Sequence, residues 1–229
     1  MIAGADVLLS ILAVAIAAGA LWIHRRRAGV PQFVAAHVAL AGGTASAIAA
    51  VGLFRAAAAA TTATGLVEME QAAAEFGFAR ALLALGGVLI GAMALSGSTV
   101  ALARLHWNTG GFPFRGQWRL ALVLLLLLAA GVLGVMVAVQ LDPRLIAGFV
   151  VVGLALGIGV ALPVAPADLP RVIWSGAAMT GLAWVCTGLA LRSPAFAVAG
   201  MVVGAIGVLR ERMAGAVLSR DSPETWGES

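Results

Sequence analysis

The chain of 229 residues is poor in charge, has one cysteine and contains no lysine. Charged residues are 10% of it, against about 25% in a typical soluble domain. Hydrophobic residues are 62%, against about 45–50% in such a domain. Fourteen basic and ten acidic groups cannot cover that much apolar side chain with a polar surface, so a soluble globular enzyme is excluded. A disordered chain is excluded as well, because disorder goes with low hydrophobicity. One cysteine allows neither a disulfide framework nor a cysteine-based zinc site. All the basic residues are arginine and the formal net charge is +4. The arginines are scattered over short segments between apolar runs. The contiguous basic face that a phosphate backbone requires is missing, which argues against nucleic acid as a partner.

Further absences narrow the chemistry. No Gly-x-Gly-x-x-Gly follows a strand pattern, so no dinucleotide fold is expected on this chain. There is no phosphate-binding loop for ATP, no pair of membrane histidines placed for haem, and no cluster of intramembrane carboxylates. The residues by themselves nominate no catalytic group and no metal ligand.

What is present is a series of seven apolar stretches, about Ala5–Ile23, Gln32–Phe54, Phe78–Ala103, Trp118–Val139, Arg144–Val164, Val172–Leu191 and Pro194–Leu209. About 20 apolar residues cross a bilayer as a helix, and continuous runs of this length are not alternating strands. The expectation is an all-α, polytopic membrane bundle of about seven helices over residues 1–218. A short polar tail, 219–229, is expected to be disordered and cytoplasmic. Arg25, Arg26 and Arg27 follow the first run rather than precede it, which is not the order of a signal peptide. With the N-terminus outside, Arg25, Arg26, Arg27, Arg104, Arg115, Arg119, Arg171, Arg210, Arg212 and Arg220 fall on the inner side. Arg55, Arg80, Arg144 and Arg192 fall outside. That asymmetry predicts an N-out, C-in protein of a bacterial-type inner membrane. The connections are short. The longest, Arg55–Gly77, has an Ala-rich start and a Leu66–Phe78 run fit for a surface helix, and Trp107 and Trp118 flank an inner loop at Thr109–Gly116.

Association in lipid depends on close backbone approach, because the tails are as apolar as leucine. Twenty-nine glycines serve that end. Gly87/Gly91, Gly153/Gly157 and Gly200/Gly204 are four apart within spans, and Gly97 and Gly181 add small surface. All eight are expected at helix crossings, either as generic packing or as the walls of a pathway. His37, within the second span, is the one clear intramembrane ionisable group. It is either a proton relay, a role open to histidine because an unperturbed imidazole titrates at about 6.5, or a neutral imidazole bonded to a neighbouring helix. The intramembrane hydroxyls include Ser96, Ser98 and Thr180. Hydroxyls can bond their own helix, so most of them are expected to be structural.

Two stretches carry more. One runs Ile90-Gly91-Ala92-Met93-Ala94-Leu95-Ser96-Gly97-Ser98-Thr99-Val100-Ala101-Leu102-Ala103-Arg104-Leu105. The other is Asp168-Leu169-Pro170, then Thr180-Gly181, then Ala199-Gly200-Met201-Val202-Val203-Gly204-Ala205-Ile206-Gly207. With Pro31-Gln32-Phe33-Val34-Ala35-Ala36-His37 entering the second span, they resemble the membrane domain of the beta subunit of proton-translocating NAD(P) transhydrogenase over nearly the whole chain. The resemblance implies a proton-carrying membrane domain coupled to hydride transfer from NADH to NADP. Both nucleotides would sit on partner chains and no cofactor on this one. It also implies an alpha-type subunit, an NADP-binding chain and an oligomeric complex, with His37, Ser96, Ser98 and Thr180 as proton-pathway candidates.

The departures from the family pattern are specific. The sequence stops where the NADP-binding domain would begin, and its first helix matches the third beta helix. The family's proton-handling histidine falls at Val38, one residue after His37. A pathway asparagine falls at Ala177, and an acidic residue of the third span at Leu83. Three readings follow: the membrane subunit of a transhydrogenase, a degenerate paralogue with a structural or assembly role, or a carrier of a small solute.

Overall fold

The structure, a computed structural model, describes residues 30–62, 77–107, 117–164 and 168–220. The expected span Ala5–Ile23, most of Leu66–Phe78, the Thr109–Gly116 loop and the tail after Arg220 lie outside the described residues. Within them the chain is wholly helical: α1 Val30–Thr62, α2 Phe78–Trp107, α3 Gln117–Gln140, α4 Pro143–Ala161, α5 Leu169–Ala190 and α6 Pro194–Arg220. Each is long and apolar enough to cross a membrane. Six of the expected spans are thus helices in the expected order.

Two helices outrun their apolar stretches. α1 passes Phe54 through Ala56–Ala60 to Thr62, because alanine is the best helix former and needs no lipid to remain helical. α6 continues past Leu209 to Arg220. Its extension is tied back to α5: the Arg210 guanidinium lies 5.8 Å from the Trp174 ring centroid, and Arg171 Nε is 3.8 Å from Glu211 Oε1.

The two tight connections explain the pairing of neighbours. Between α3 and α4 the chain turns at Leu141, whose φ is 48°. The Asp142 carboxylate then accepts a 2.7 Å bond from the Arg144 amide, with Pro143 opening the helix, an arrangement suited to a helix start. Between α5 and α6 the Ser193 amide donates to Gly188 O at 2.8 Å and the Arg192 amide to Leu189 O at 3.2 Å. This is the Schellman pattern, which normally places glycine where Arg192 sits. Arg192 holds φ 53° and is exposed. Arg192→Gly is expected to raise stability by up to about 1 kcal/mol, the left-handed strain removed less the added freedom of the unfolded chain. Thermal unfolding in detergent measures it; a lower midpoint would contradict the strain argument.

α2 is the hub, packed on α1, α4 and α5 and more lightly on α3. α6 packs on α5, and α3 mainly on α4. These two are the flanks: 17% of the α3 and α6 spans is buried, against 44% for α2. The buried apolar side chains form two clusters. The larger joins Leu53 of α1, Leu85 and Val88 of α2, Val137 of α3, and Ile146, Phe149 and Leu156 of α4. The smaller joins Ala35, Ala101, Leu169 and Ile173. Along α1, α2 and α5, the stretch between the two clusters holds glycines and hydroxyls instead.

Two arginines of α2 tie its ends to neighbouring helices. Arg80 Nε donates to Ala190 O at 2.9 Å, at the last residue of α5. Arg104 Nη1 donates to Ala161 O at 3.3 Å and Leu162 O at 3.1 Å, at the end of α4. The Phe78 end of the bundle therefore collects the α5 terminus, and the Trp107 end collects the α4 terminus and the start of α5. Successive helices reverse direction, as crossing helices joined by short connections must.

Candidate functional site

α5 lies against α1 through a ladder of side-chain bonds. Thr180 Oγ1 donates to Val38 O at 3.4 Å, Trp184 Nε1 to Ala41 O at 3.0 Å, and Thr187 Oγ1 to Ala45 O at 3.3 Å. The donors are four and three residues apart, the acceptors three and four. Both sets keep to one helix face, as a period of 3.6 requires. Thr187 Oγ1 also points at Ala183 O in its own helix, at 2.8 Å. Ser46, on the same part of α1, donates to Val88 O of α2 at 3.0 Å. In lipid such interhelical bonds average about 0.6 kcal/mol each; their larger effect is to fix the register of α1, α2 and α5.

Glycine allows the contact that brings these groups within reach. A Cβ on Gly91 would lie 2.6 Å from Gly42 O and 2.8 Å from Ser46 N, so α1 and α2 meet backbone to backbone. Gly87 faces the Thr187 hydroxyl, and Gly157 of α4 faces Ser96 and Met93 of α2. A Cβ on Gly97 would lie 3.3 Å from Gly157 O, and one on Gly153 3.0 Å from Ala92 Cβ. On the flank, Gly181 of α5 meets Gly204 of α6, and a Cβ on Gly200 would lie 2.6 Å from Gly181 O. All eight singled-out glycines stand at crossings.

At one level of the seam three helices converge. A Cβ on Gly176 of α5 would lie 3.2 Å from Ser98 Oγ of α2 and 3.3 Å from Val38 Cγ1 of α1. Val38, Ser98, Ala177 and Thr180 are all buried, and Thr180 bonds the Val38 carbonyl just described. Ser98 and Thr180 therefore belong to one junction. Ser96 does not: it faces α4, and its hydroxyl donates to Ala92 O of its own helix at 3.0 Å. His37 is exposed while Val38 next to it is 3% exposed, the consequence of a 100° step per residue. The imidazole lies on the outside of the bundle. Leu83 packs against the larger apolar cluster rather than the junction.

Chemically, the junction is polar but carries no titratable group among these residues. The hydroxyls of Thr180, Thr187, Ser46 and Ser96 are directed at backbone carbonyls. Those of Ser46, Thr180 and Thr187 hold helices together, and Thr180 and Thr187 leave no hydroxyl hydrogen across the α1–α5 face for a relay while the helices stay in contact. Among the described residues no three His, Cys, Asp or Glu side chains come together as metal ligands, and no strand–glycine–helix turn offers a place for NADP.

The family model described as NAD(P) transhydrogenase beta subunit matches residues 2–221. The chain belongs to that family. A comparison with curated proteins finds no match. In this beta-subunit relative Val38 and Ala177, the positions that the resemblance aligns with the family's histidine and asparagine, are buried apolar residues, at 3% and 8% exposure. Sequence reading missed Trp184, Gly42 and Gly176. Trp184 had a signal: its indole N–H sits mid-span, where it must find a partner, away from the interface tryptophans prefer.

Proposed function

We propose that this chain is the membrane part of a proton-translocating NAD(P) transhydrogenase whose NAD and NADP sites lie on partner chains. The observation that supports the reading is the buried three-helix junction of Val38, Ser98, Gly176 and Thr180, which contains the position that the resemblance aligns with the family's histidine, in a chain matched to the beta subunit along residues 2–221. Arginine asymmetry supports an N-out, C-in orientation in a bacterial-type inner membrane, so that α6 delivers the chain to the cytoplasm. There an NADP-binding chain and an alpha-type subunit would dock in an oligomeric complex. The domain division into a bundle over 1–218 and a tail over 219–229 belongs to the same proposal. Proton passage would require α1 and α5 to separate. The Val38, Ala41 and Ala45 carbonyls and the hydroxyls of Ser98, Thr180 and Thr187 would then line a file of water, which needs two to four polar partners per molecule.

A structural or assembly role is the second reading, favoured by the outward His37 and by the hydroxyls already bonded to carbonyls. One experiment separates the two. The affinity-tagged chain is isolated from membranes with its partners, reconstituted in vesicles, and assayed for NADH-to-NADP hydride transfer with a pH dye. The first reading expects an NADP-binding chain in the isolate and proton movement tied to hydride transfer. An isolate with no nucleotide-binding chain would rule that reading out, and hydride transfer without proton movement would leave the assembly role.

A further inference from the structure

We propose that α5 and α6 form one rigid body that moves as a unit against a second body made of α1, α2 and α4, with the face between them as the plane of motion. The division follows from which atoms meet at each crossing. A Cβ on Gly200 of α6 would lie 2.6 Å from both Gly181 O and Val185 N of α5. One on Gly207 would lie 2.9 Å from Ala177 C and Ala178 Cα, and one on Gly188 3.0 Å from Ala197 Cα and Phe196 C. All of these are backbone atoms. α6 therefore lies on α5 backbone to backbone at several levels, and α5 is the one described helix on which it packs along its length.

The second body is joined in the same way. A Cβ on Gly42 of α1 would lie 3.0 Å from Gly91 O and 3.2 Å from Leu95 N of α2, and one on Gly157 of α4 would lie 2.9 Å from Met93 Cα of α2. Between the two bodies the nearest atoms are side chains instead. A Cβ on Gly86 would lie 3.6 Å from Cys186 Sγ, one on Gly52 3.3 Å from Leu191 Cδ2, and one on Gly176 3.2 Å from Ser98 Oγ. Gly87 meets the Thr187 hydroxyl before Ala183 O, which a Cβ would approach only to 3.4 Å. The bonds across this face run from single side chains to carbonyls: Thr180, Trp184 and Thr187 to α1, and Arg80 of α2 to Ala190 O.

The two kinds of contact differ in what sliding requires. Where backbones touch, displacing one helix drives carbonyl oxygens and Cα atoms into each other, and no rotamer relieves that. A layer of side chains can repack. A threonine hydroxyl released from α1 has a carbonyl of its own helix to return to, and Thr187 already points at Ala183 O at 2.8 Å. The face therefore has a second arrangement within reach, as a switching interface needs. Trp184 is the latch across it: its indole donates to Ala41 O of α1 at 3.0 Å, while its ring centroid lies 5.2 Å from that of Phe196 in α6. At the other end of the pair, Arg210 on Trp174 and Arg171 with Glu211 tie α6 to α5 again. A displacement of α6 is thus passed to the α1–α5 face. That this face would carry protons rests on the function proposed above; the division into two bodies does not.

The test is a set of spin-label distances in the full chain in lipid nanodiscs. In a Cys186→Ser background, labels are placed in pairs at the exposed positions Ala47 of α1, Leu182 of α5 and Val203 of α6. Thr180→Val, Trp184→Phe and Thr187→Val together remove the three donors to α1 and leave the glycine crossings of α5 with α6 untouched. In that triple variant the 47–182 and 47–203 distances are expected to shift or spread together by at least about 2 Å, while the 182–203 distance keeps its wild-type distribution. A 182–203 shift as large as the 47–182 shift would overturn the proposal. So would a 47–203 distance that stays fixed while 47–182 moves, or no shift in any pair. If the triple variant does not fold, hydrogen exchange of the wild type decides. Amides of α5 and α6 opening as one unit, apart from α1, α2 and α4, support the pairing. One common opening of all five helices, or α6 opening ahead of α5, overturns it. Neither readout uses nucleotide or proton movement, so failure of the transhydrogenase reading leaves both results interpretable.

Discussion

Gly91→Leu is expected to prevent α1 and α2 from closing on each other. The new Cβ would stand 2.6 Å from Gly42 O, 2.8 Å from Ser46 N and 2.9 Å from Ser46 Cβ. The first two are backbone atoms of a helix, so no side-chain rotation relieves them. The helices must separate, and with them go the Ser46–Val88 bond and the contact that seats α1 against the hub helix. Overpacking usually costs about 1–3 kcal/mol. Here the loss should reach or exceed the top of that range, because three helices share the interface. The control is Gly131→Ala on α3, where an added Cβ meets nothing within 4 Å and helix propensity should raise stability by about 0.5–1 kcal/mol. Thermal unfolding of both variants in detergent, with recovery of folded protein by size exclusion, measures the contrast. Equal midpoints for the two would show that the α1–α2 crossing does not depend on glycine.

The second large effect is on proton movement. Ser98→Ala combined with Thr180→Val removes the two hydroxyls of the three-helix junction without adding bulk. The interhelical bond lost with Thr180 is worth about 0.6–1.7 kcal/mol, so the bundle should still form. If water passes through this junction when α1 and α5 part, proton translocation by the assembled complex should fall by about tenfold or more, a barrier increase of about 1.4 kcal/mol. His37→Ala should leave the rate within about twofold, since its side chain is outside the bundle. A pH-sensitive dye trapped in proteoliposomes reads both variants. A rate lost in His37→Ala and kept in the double variant would place the pathway on the outer face of α1, where a partner chain would have to complete it.

His37 and Arg104 show where sequence and structure part. Both are ionisable residues in or beside an apolar run. By type alone, histidine inside a span is the functional candidate and arginine at its end is a topological marker. The structure turns His37 outward and Arg104 inward. Each assignment depends on the rotation of one helix about its axis, and α1 and α2 are apolar all round, so no polar stripe in the sequence sets that rotation. The glycines were more legible: small residues four apart must meet another backbone to be of use. Their partners were not, because nothing local pairs Gly91 with Gly42 and not with Gly181.

Seven long apolar runs, scarce charge and short connections determine by themselves a multi-pass helical membrane protein, since only helices and closed barrels satisfy their backbone hydrogen bonds within lipid and these runs do not alternate as barrel strands do. The Ser-Gly-Ser and Asp-Leu-Pro segments, with their order, determine the family. Only the tertiary structure decides that α2 is the hub, that Thr180, Trp184 and Thr187 bond one row of α1 carbonyls, that Val38 rather than His37 enters the junction, and that Arg104 is buried. Those facts depend on helix rotation and on which helix lies beside which. In a medium where every apolar surface is equally content, backbone contact and single hydrogen bonds settle them.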